Sequence, residues 1–214
     1  MTGPSMKGQD RRTGLCYQVA ASLLCYPDET LLERLPVLRA ATAELADDQA
    51  ALLGPLLDHV AGTPLLALQQ EYVETFDLKR RCALYLTYFA FGDTRKRGMA
   101  LLNFKSAYRK AGLVLDDGEL PDHLAVVLEF AATADLKNGR RLMLEHRAGL
   151  ELLFLSLRDS GSPYAGAVGA VSATLPKLRG DEYDAVRRLV AEGPPNEEVG
   201  LEPFAPPDYM GARR

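Results

Sequence analysis

The chain has 214 residues, 47% of them hydrophobic and 25% charged, enough for one well-buried domain or two small ones, which excludes disorder except at the ends. A net charge of −4 argues against general nucleic-acid binding, and the absence of Trp with only 7% aromatics means that packing rests mainly on aliphatic helix faces. Cys16, Cys25 and Cys82 form no C-x-x-C pair and leave one thiol over in any disulfide scheme, which favours a reducing compartment and buried, apolar thiols.

In chain order, polar residues 1–12 come first, with Arg11-Arg12 ahead of an apolar run that superficially imitates a twin-arginine export signal. Gln18 and Ser22 interrupt that run, Leu15, Val19 and Leu23 have amphipathic-helix spacing, and no small-residue cleavage site precedes Pro27, so the expectation is a folded helix in a cytoplasmic protein. No stretch approaches the ~18 continuous apolar residues of a membrane span. Helical spacing continues through Leu31, Leu35, Leu38 and Leu45, then Leu53, Leu56, Leu57 and Val60, then Leu65, Leu68, Tyr72 and Phe76. Thr63-Pro64 and Ser162-Pro163 read as a cap followed by a first-turn proline. Gly92 closes an aromatic stretch, Asp93 is placed to cap the helix that follows, and Gly98 suggests close backbone approach.

That helix runs from about Thr94 to Gly112, which reads as its stop; Pro121 and Asp122 then suit the first turn of another. Asn138 precedes a predicted long helix reaching Asp159, Asp181 opens one more, and Gly193 ends it. Strand alternation is nowhere convincing. The expectation is an all-α fold: a single compact domain of roughly nine or ten helices over residues 13–193. A flexible segment 1–12 and a Pro-rich flexible tail 194–214, with five prolines, are expected to flank it.

Catalytic signatures are weak. His59, His123 and His146 are scattered, no His pair has i, i+4 spacing, and the Gly92 to Gly98 stretch lacks the terminal Gly-Lys-Ser/Thr of a phosphate-binding loop. Asp122 and His123, adjacent on a helix, would point about 100° apart, which is poor geometry for paired acid-base work. The expectation is therefore no enzyme, no metal and no cofactor. Charge segregation is more telling: residues 79–110 carry nine bases against the single acid Asp93, a net +8 that leaves −12 for the rest. On a helical wheel, Phe104, Ala107 and Tyr108 share one side, while Arg95, Met99, Leu102, Lys105 and Arg109 form a basic face with apolar residues inside it, suited to a partner with acidic and greasy groups. Arg97 falls on the apolar side, where it needs a carboxylate such as Asp93 or Asp77. Tyr72, Phe76, Tyr85 and Tyr88 are either plain core or the lining of a groove for a helical peptide.

Four strings taken together resemble a known family: Tyr72-Val73-Glu74-Thr75-Phe76-Asp77, Leu84-Tyr85-Leu86-Thr87-Tyr88, Gly92-Asp93-Thr94-Arg95-Lys96-Arg97-Gly98, and Glu119-Leu120-Pro121-Asp122-His123-Leu124 with Leu128-Glu129-Phe130. Their order and spacing are similar to the NarJ-type delta subunits of respiratory nitrate reductase, within the redox-enzyme maturation chaperones, from about Leu15 to Ala134 and thinly beyond. The resemblance implies a cytoplasmic helical chaperone that binds the N-terminal region of the catalytic alpha subunit. It would hold that subunit competent for molybdenum cofactor insertion and leave before the enzyme works at the membrane, without nucleic acid or stable membrane association. It also implies a peptide groove with Tyr72 and Phe76 on one helix and Asp122 and His123 at the mouth of another. Rival readings are a maturation chaperone for another twin-arginine-type molybdoenzyme, a nucleic-acid-binding regulator whose binding would weaken steeply with salt, and a small enzyme using Asp122 and His123.

Overall fold

Residues 6–92, 94–115 and 118–195 are described by the computed structural model. Eleven α-helices follow one another there: α1 (Met6–Leu24), α2 (Glu29–Ala43), α3 (Asp47–Gly62), α4 (Leu65–Tyr72), α5 (Tyr88–Phe91), α6 (Arg95–Lys110), α7 (Leu124–Thr133), α8 (Leu136–Glu145), α9 (Arg147–Asp159), α10 (Ala165–Ala173) and α11 (Asp181–Glu192). No strand occurs among the described residues, so the fold is all-α, as the periodicity indicates.

Packing centres on α1, which lies against α7, α10 and α2, while α10 also meets α3 and α9, and α9 carries α11. Tyr17, Leu23 and Leu24 of α1, Leu53, Leu56 and Leu57 of α3, and Leu124 and Leu128 of α7 are fully buried, the aliphatic core that the composition demands. Helix α9 is stapled to α10 by a buried polar trio, in which Arg147 pairs with Glu151 at 2.8 Å and the Ser172 hydroxyl donates to Glu151 at 2.6 Å.

Several boundaries differ from expectation. Helix α1 begins at Met6, so the expected limit between residues 12 and 13 falls inside it, and Arg11 pairs with Glu44. The tail is described only through Pro195; the expected features of residues 196–214 lie outside the described residues, as does the expected cap Asp93. Thr63 does not cap α4: its hydroxyl donates back to the His59 carbonyl at 2.7 Å and so closes α3. Ser162 makes no side-chain cap either, since α10 starts only at Ala165. The predicted helix from Asn138 to Asp159 is two helices broken at His146, because α8 must pack on α7 while α9 turns to α10 and α11. The cap of α8 is Asp135, whose carboxylate accepts from the Asn138 amide at 2.9 Å. Gly112 and Gly193 do end their helices, both with positive φ.

Candidate functional site

Helix α4 does not stop at Tyr72 but widens into a π-helical turn, Val73–Asp77. That turn brings the Tyr72 and Phe76 rings to 4.7 Å between centroids, and Tyr26 and Tyr164 close edge-on around them at 5.4 and 4.9 Å. The Tyr72 hydroxyl donates to the Leu24 carbonyl at 3.0 Å, which ties the cluster to the end of α1.

Beside it the chain makes a short antiparallel contact between Leu84–Leu86 and 122–124. The Leu124 amide donates to the Leu84 carbonyl at 2.8 Å, and the Leu86 amide donates to the Asp122 carbonyl at 3.1 Å. Extended backbone sends successive side chains to opposite sides. Tyr85 and His123 therefore lie on one side together, rings 5.3 Å apart, with His123 buried and Tyr85 half-buried, whereas Leu86, Asp122 and Leu124 on the other side are fully buried. This corrects the placement of Asp122 in the first turn of a helix: α7 begins at Leu124, and His123 is its N-cap residue without a side-chain cap bond. The Asp122 carboxylate turns away from the α7 amides. It accepts from the Thr87 amide at 3.1 Å and the Thr87 hydroxyl at 2.5 Å, and it faces the Arg97 guanidinium at 3.6 Å. Arg97 also donates to the Thr87 hydroxyl at 3.1 Å and lies over the Tyr85 ring. Its carboxylate is thus Asp122, not Asp77, and Asp93 lies outside the described residues.

Between the aromatic cluster and this contact runs a groove of about 400 Å³. Tyr72, Phe76, Tyr85 and His123 line it; Tyr88 and Asp122 do not. Tyr88 sits on α5 behind the groove, buried, its hydroxyl accepting from Arg80 at 2.6 Å. Asp122 supports the groove from within. Helical periodicity could not separate these roles, because the decisive segment is extended. Tyr26, Asp77, Glu119 and Glu129 also line it, with Cys25, Leu84, Ala125 and Val126 between them. Asp77, Glu119 and Glu129 stand in strings the sequence had marked, but nothing local marks Tyr26.

The groove's electrostatics are one-sided: among the described residues its lining includes three exposed carboxylates, Asp77, Glu119 and Glu129, and no Lys or Arg. Burial, and then the Glu119 carboxylate that accepts its hydrogen bond, push the Tyr85 hydroxyl up to about 12. Cys16 and Cys82 are buried as expected, but Cys25, just past the end of α1, is exposed because it lies on the groove rim rather than in the core; desolvation by the groove walls and the nearby Glu129 and Asp28 raise its thiol above the usual range. The His123 Nδ1 is buried with no hydrogen-bond partner among the described residues.

His123 and His146 are both held below the usual imidazole range by burial, against the opposing pull of Glu119, Asp122 and Asp77 on the first and of Glu145 and Asp122 on the second. The unfolded chain then binds more protons than the native one below about pH 6.5. Stability is expected to be level above that pH and to fall as pH drops through the depressed native values. Thermal melts from pH 5 to 8 check this; His146→Gln and His123→Gln should each flatten the acid limb, and an unchanged limb in both would assign it to carboxylates.

The basic face lies apart from the groove. Arg95, Met99, Leu102, Lys105 and Arg109 are all exposed on α6, none lines the groove, and none is paired to a carboxylate among the described residues. Phe104, Ala107 and Tyr108 form the inner side, with the Tyr108 hydroxyl donating to the Pro121 carbonyl. No atom of the described residues lies within 4 Å of where a Cβ on Gly98 would stand, so the close approach expected there does not occur among them. Gly92 is the glycine this region needs: φ is +55° and the Pro195 carbonyl lies 2.8 Å from where a Cβ would stand.

The sequence profile of the nitrate reductase delta subunit family matches residues 42–169. The nitrate reductase-like protein NarX of Mycobacterium tuberculosis (strain H37Rv) is 40% identical over 158 residues, 74% of this chain but 24% of its own length. NarJ of Escherichia coli (strain K12), a nitrate reductase molybdenum cofactor assembly chaperone, is 31% identical over 150 residues, 69% of this chain and 64% of its own. The chain thus spans about a quarter of NarX and under two thirds of that NarJ. The crystal structure of a redox enzyme maturation protein from Archaeoglobus fulgidus superposes with a TM-score of 0.56 at 22% identity, covering 81% of this chain and 95% of that one, a likeness of fold.

Proposed function

The chain belongs to the nitrate reductase delta subunit family, whose members are assembly chaperones rather than enzymes, and we propose that its groove captures the N-terminal region of a nitrate reductase catalytic alpha subunit. In this role the protein holds the subunit competent for molybdenum cofactor insertion and assembly. The observation that carries the reading is the groove itself: an aromatic floor of Tyr72 and Phe76, a wall of Tyr85 and His123, and an acidic rim. An amphipathic peptide helix with apolar anchors and at least one base matches that surface, the anchors on the rings and the base on Asp77, Glu119 or Glu129. A chaperone needs differential affinity for an unready partner, and such a groove supplies it without a reactive side chain.

Calorimetric titration of the full chain with a peptide copying the alpha-subunit N-terminus tests this. Tyr85→Ala, which removes a half-buried wall residue, should weaken binding by about tenfold or more. The triple change Asp77→Asn, Glu119→Gln and Glu129→Gln should slow capture at low salt, with the difference closing at high salt. Unaltered affinity and kinetics in both variants, with native melting, would place the peptide elsewhere.

A further inference from the structure

Helix α6 contains six bases and not one acid in sixteen residues, in a chain whose net charge is −4. Its single inward base, Arg97, is used by Asp122 and Thr87. The other five, Arg95, Lys96, Lys105, Arg109 and Lys110, stay exposed along a helix of about 24 Å. Among them Met99 is 69% exposed and Leu102 50%, and just past the helix end Val114 is 89% exposed. Acids appear in the sequence only beyond the ends, at Asp93 and at Asp116-Asp117.

We propose that the outer face of α6 docks reversibly on an anionic membrane surface, independently of the groove. The long stems of Lys and Arg lie along the apolar boundary while their charged ends reach phosphate groups, and Met99, Leu102 and Val114 enter the headgroup layer between them. Nucleic acid fits less well, because exposed aliphatic side chains in the middle of the basic row would face phosphates. An acidic protein fits less well too: the face offers aliphatic side chains and no aromatic anchor, unlike the Trp- and Tyr-rich centres of protein interfaces. Two or three aliphatic side chains are few, so attachment depends on charge and is released by salt. Such docking is transient, in keeping with the absence of any helix among the described residues that is long and apolar enough to cross a membrane.

Co-sedimentation with vesicles tests the proposal, using equal parts of phosphatidylglycerol and phosphatidylcholine against phosphatidylcholine alone. The full chain should bind the anionic vesicles at low salt, lose them at high salt, and ignore the neutral ones. Arg95→Gln with Lys105→Gln and Arg109→Gln should lower binding by about tenfold or more. Met99→Glu with Leu102→Glu should do the same, since both positions are exposed and the helix tolerates Glu. Peptide affinity at the groove should be unchanged in both variants, which separates this face from the groove reading. No sedimentation with anionic vesicles, or equal sedimentation of wild type and variants, would overturn the proposal. Binding to duplex DNA or to an acidic protein without vesicle binding would overturn it in favour of that partner.

Discussion

Asp122→Ala is expected to lower the unfolding free energy by about 3–5 kcal/mol, because it removes one partner of a buried charge pair and leaves the other in place. Asp122 is fully buried, and Arg97 opposite it is only 14% exposed. Their link runs through the Thr87 hydroxyl, which accepts from Arg97 and donates to Asp122, so deletion of the carboxylate takes the acceptor from both the Thr87 hydroxyl and the Thr87 amide. A simple helix cap would cost about 1 kcal/mol. Asp122→Asn keeps an acceptor for the Thr87 amide and should fall between the two. Urea unfolding of Asp122→Ala, Arg97→Met and the double variant gives the coupling, and the double should be less destabilised than the sum of the singles. A loss near 1 kcal/mol in Asp122→Ala, with additive doubles, would show that the network carries no such weight. Because Asp122 also fixes the segment that holds Tyr85, peptide affinity should fall together with stability.

Phe76→Ala is expected to cost about 3–5 kcal/mol of stability before any effect on binding is counted. The ring is 95% buried and touches both Tyr72 and Tyr164, so its removal opens a cavity between α4 and the chain just before α10 as well as stripping the groove floor. Tyr72→Ala should behave alike, with the added loss of the bond to the Leu24 carbonyl. A clean binding measurement therefore needs Phe76→Leu, which keeps most of the volume and removes the aromatic face. That variant should melt within a few degrees of wild type, yet bind the peptide several-fold more weakly. Wild-type affinity in Phe76→Leu would mean that the ring serves packing alone. A melting temperature unchanged in Phe76→Ala would contradict its burial.

The two sites differ in how far local pattern could reveal them. The basic face of α6 was legible residue by residue, because a regular helix converts spacing directly into a face, and Arg97 stood out as the one base on the wrong side. Its partner did not: Asp122 lies 25 positions away, and only the contact between Leu84–Leu86 and 122–124 brings it there. The aromatic floor could be suspected from Tyr72 and Phe76 one turn apart, but whether such rings are core or groove depends on what covers them. Here they are both, buried in their lower part and forming the groove floor above.

Composition and apolar spacing by themselves determined the all-α class, the order of most helices, the segregation of charge onto α6 and the stops at Gly112 and Gly193, because these follow from local backbone preference and from which side of a helix water can reach. Only the tertiary structure decided where the predicted helix to Asp159 breaks, which residue caps α8, and that Asp122 and His123 face opposite ways. Each of these depends on a neighbour distant in sequence: a helix continues until its next segment packs better in another direction, and a carboxylate prefers buried donors across the fold to the free amides beside it when those donors need it more.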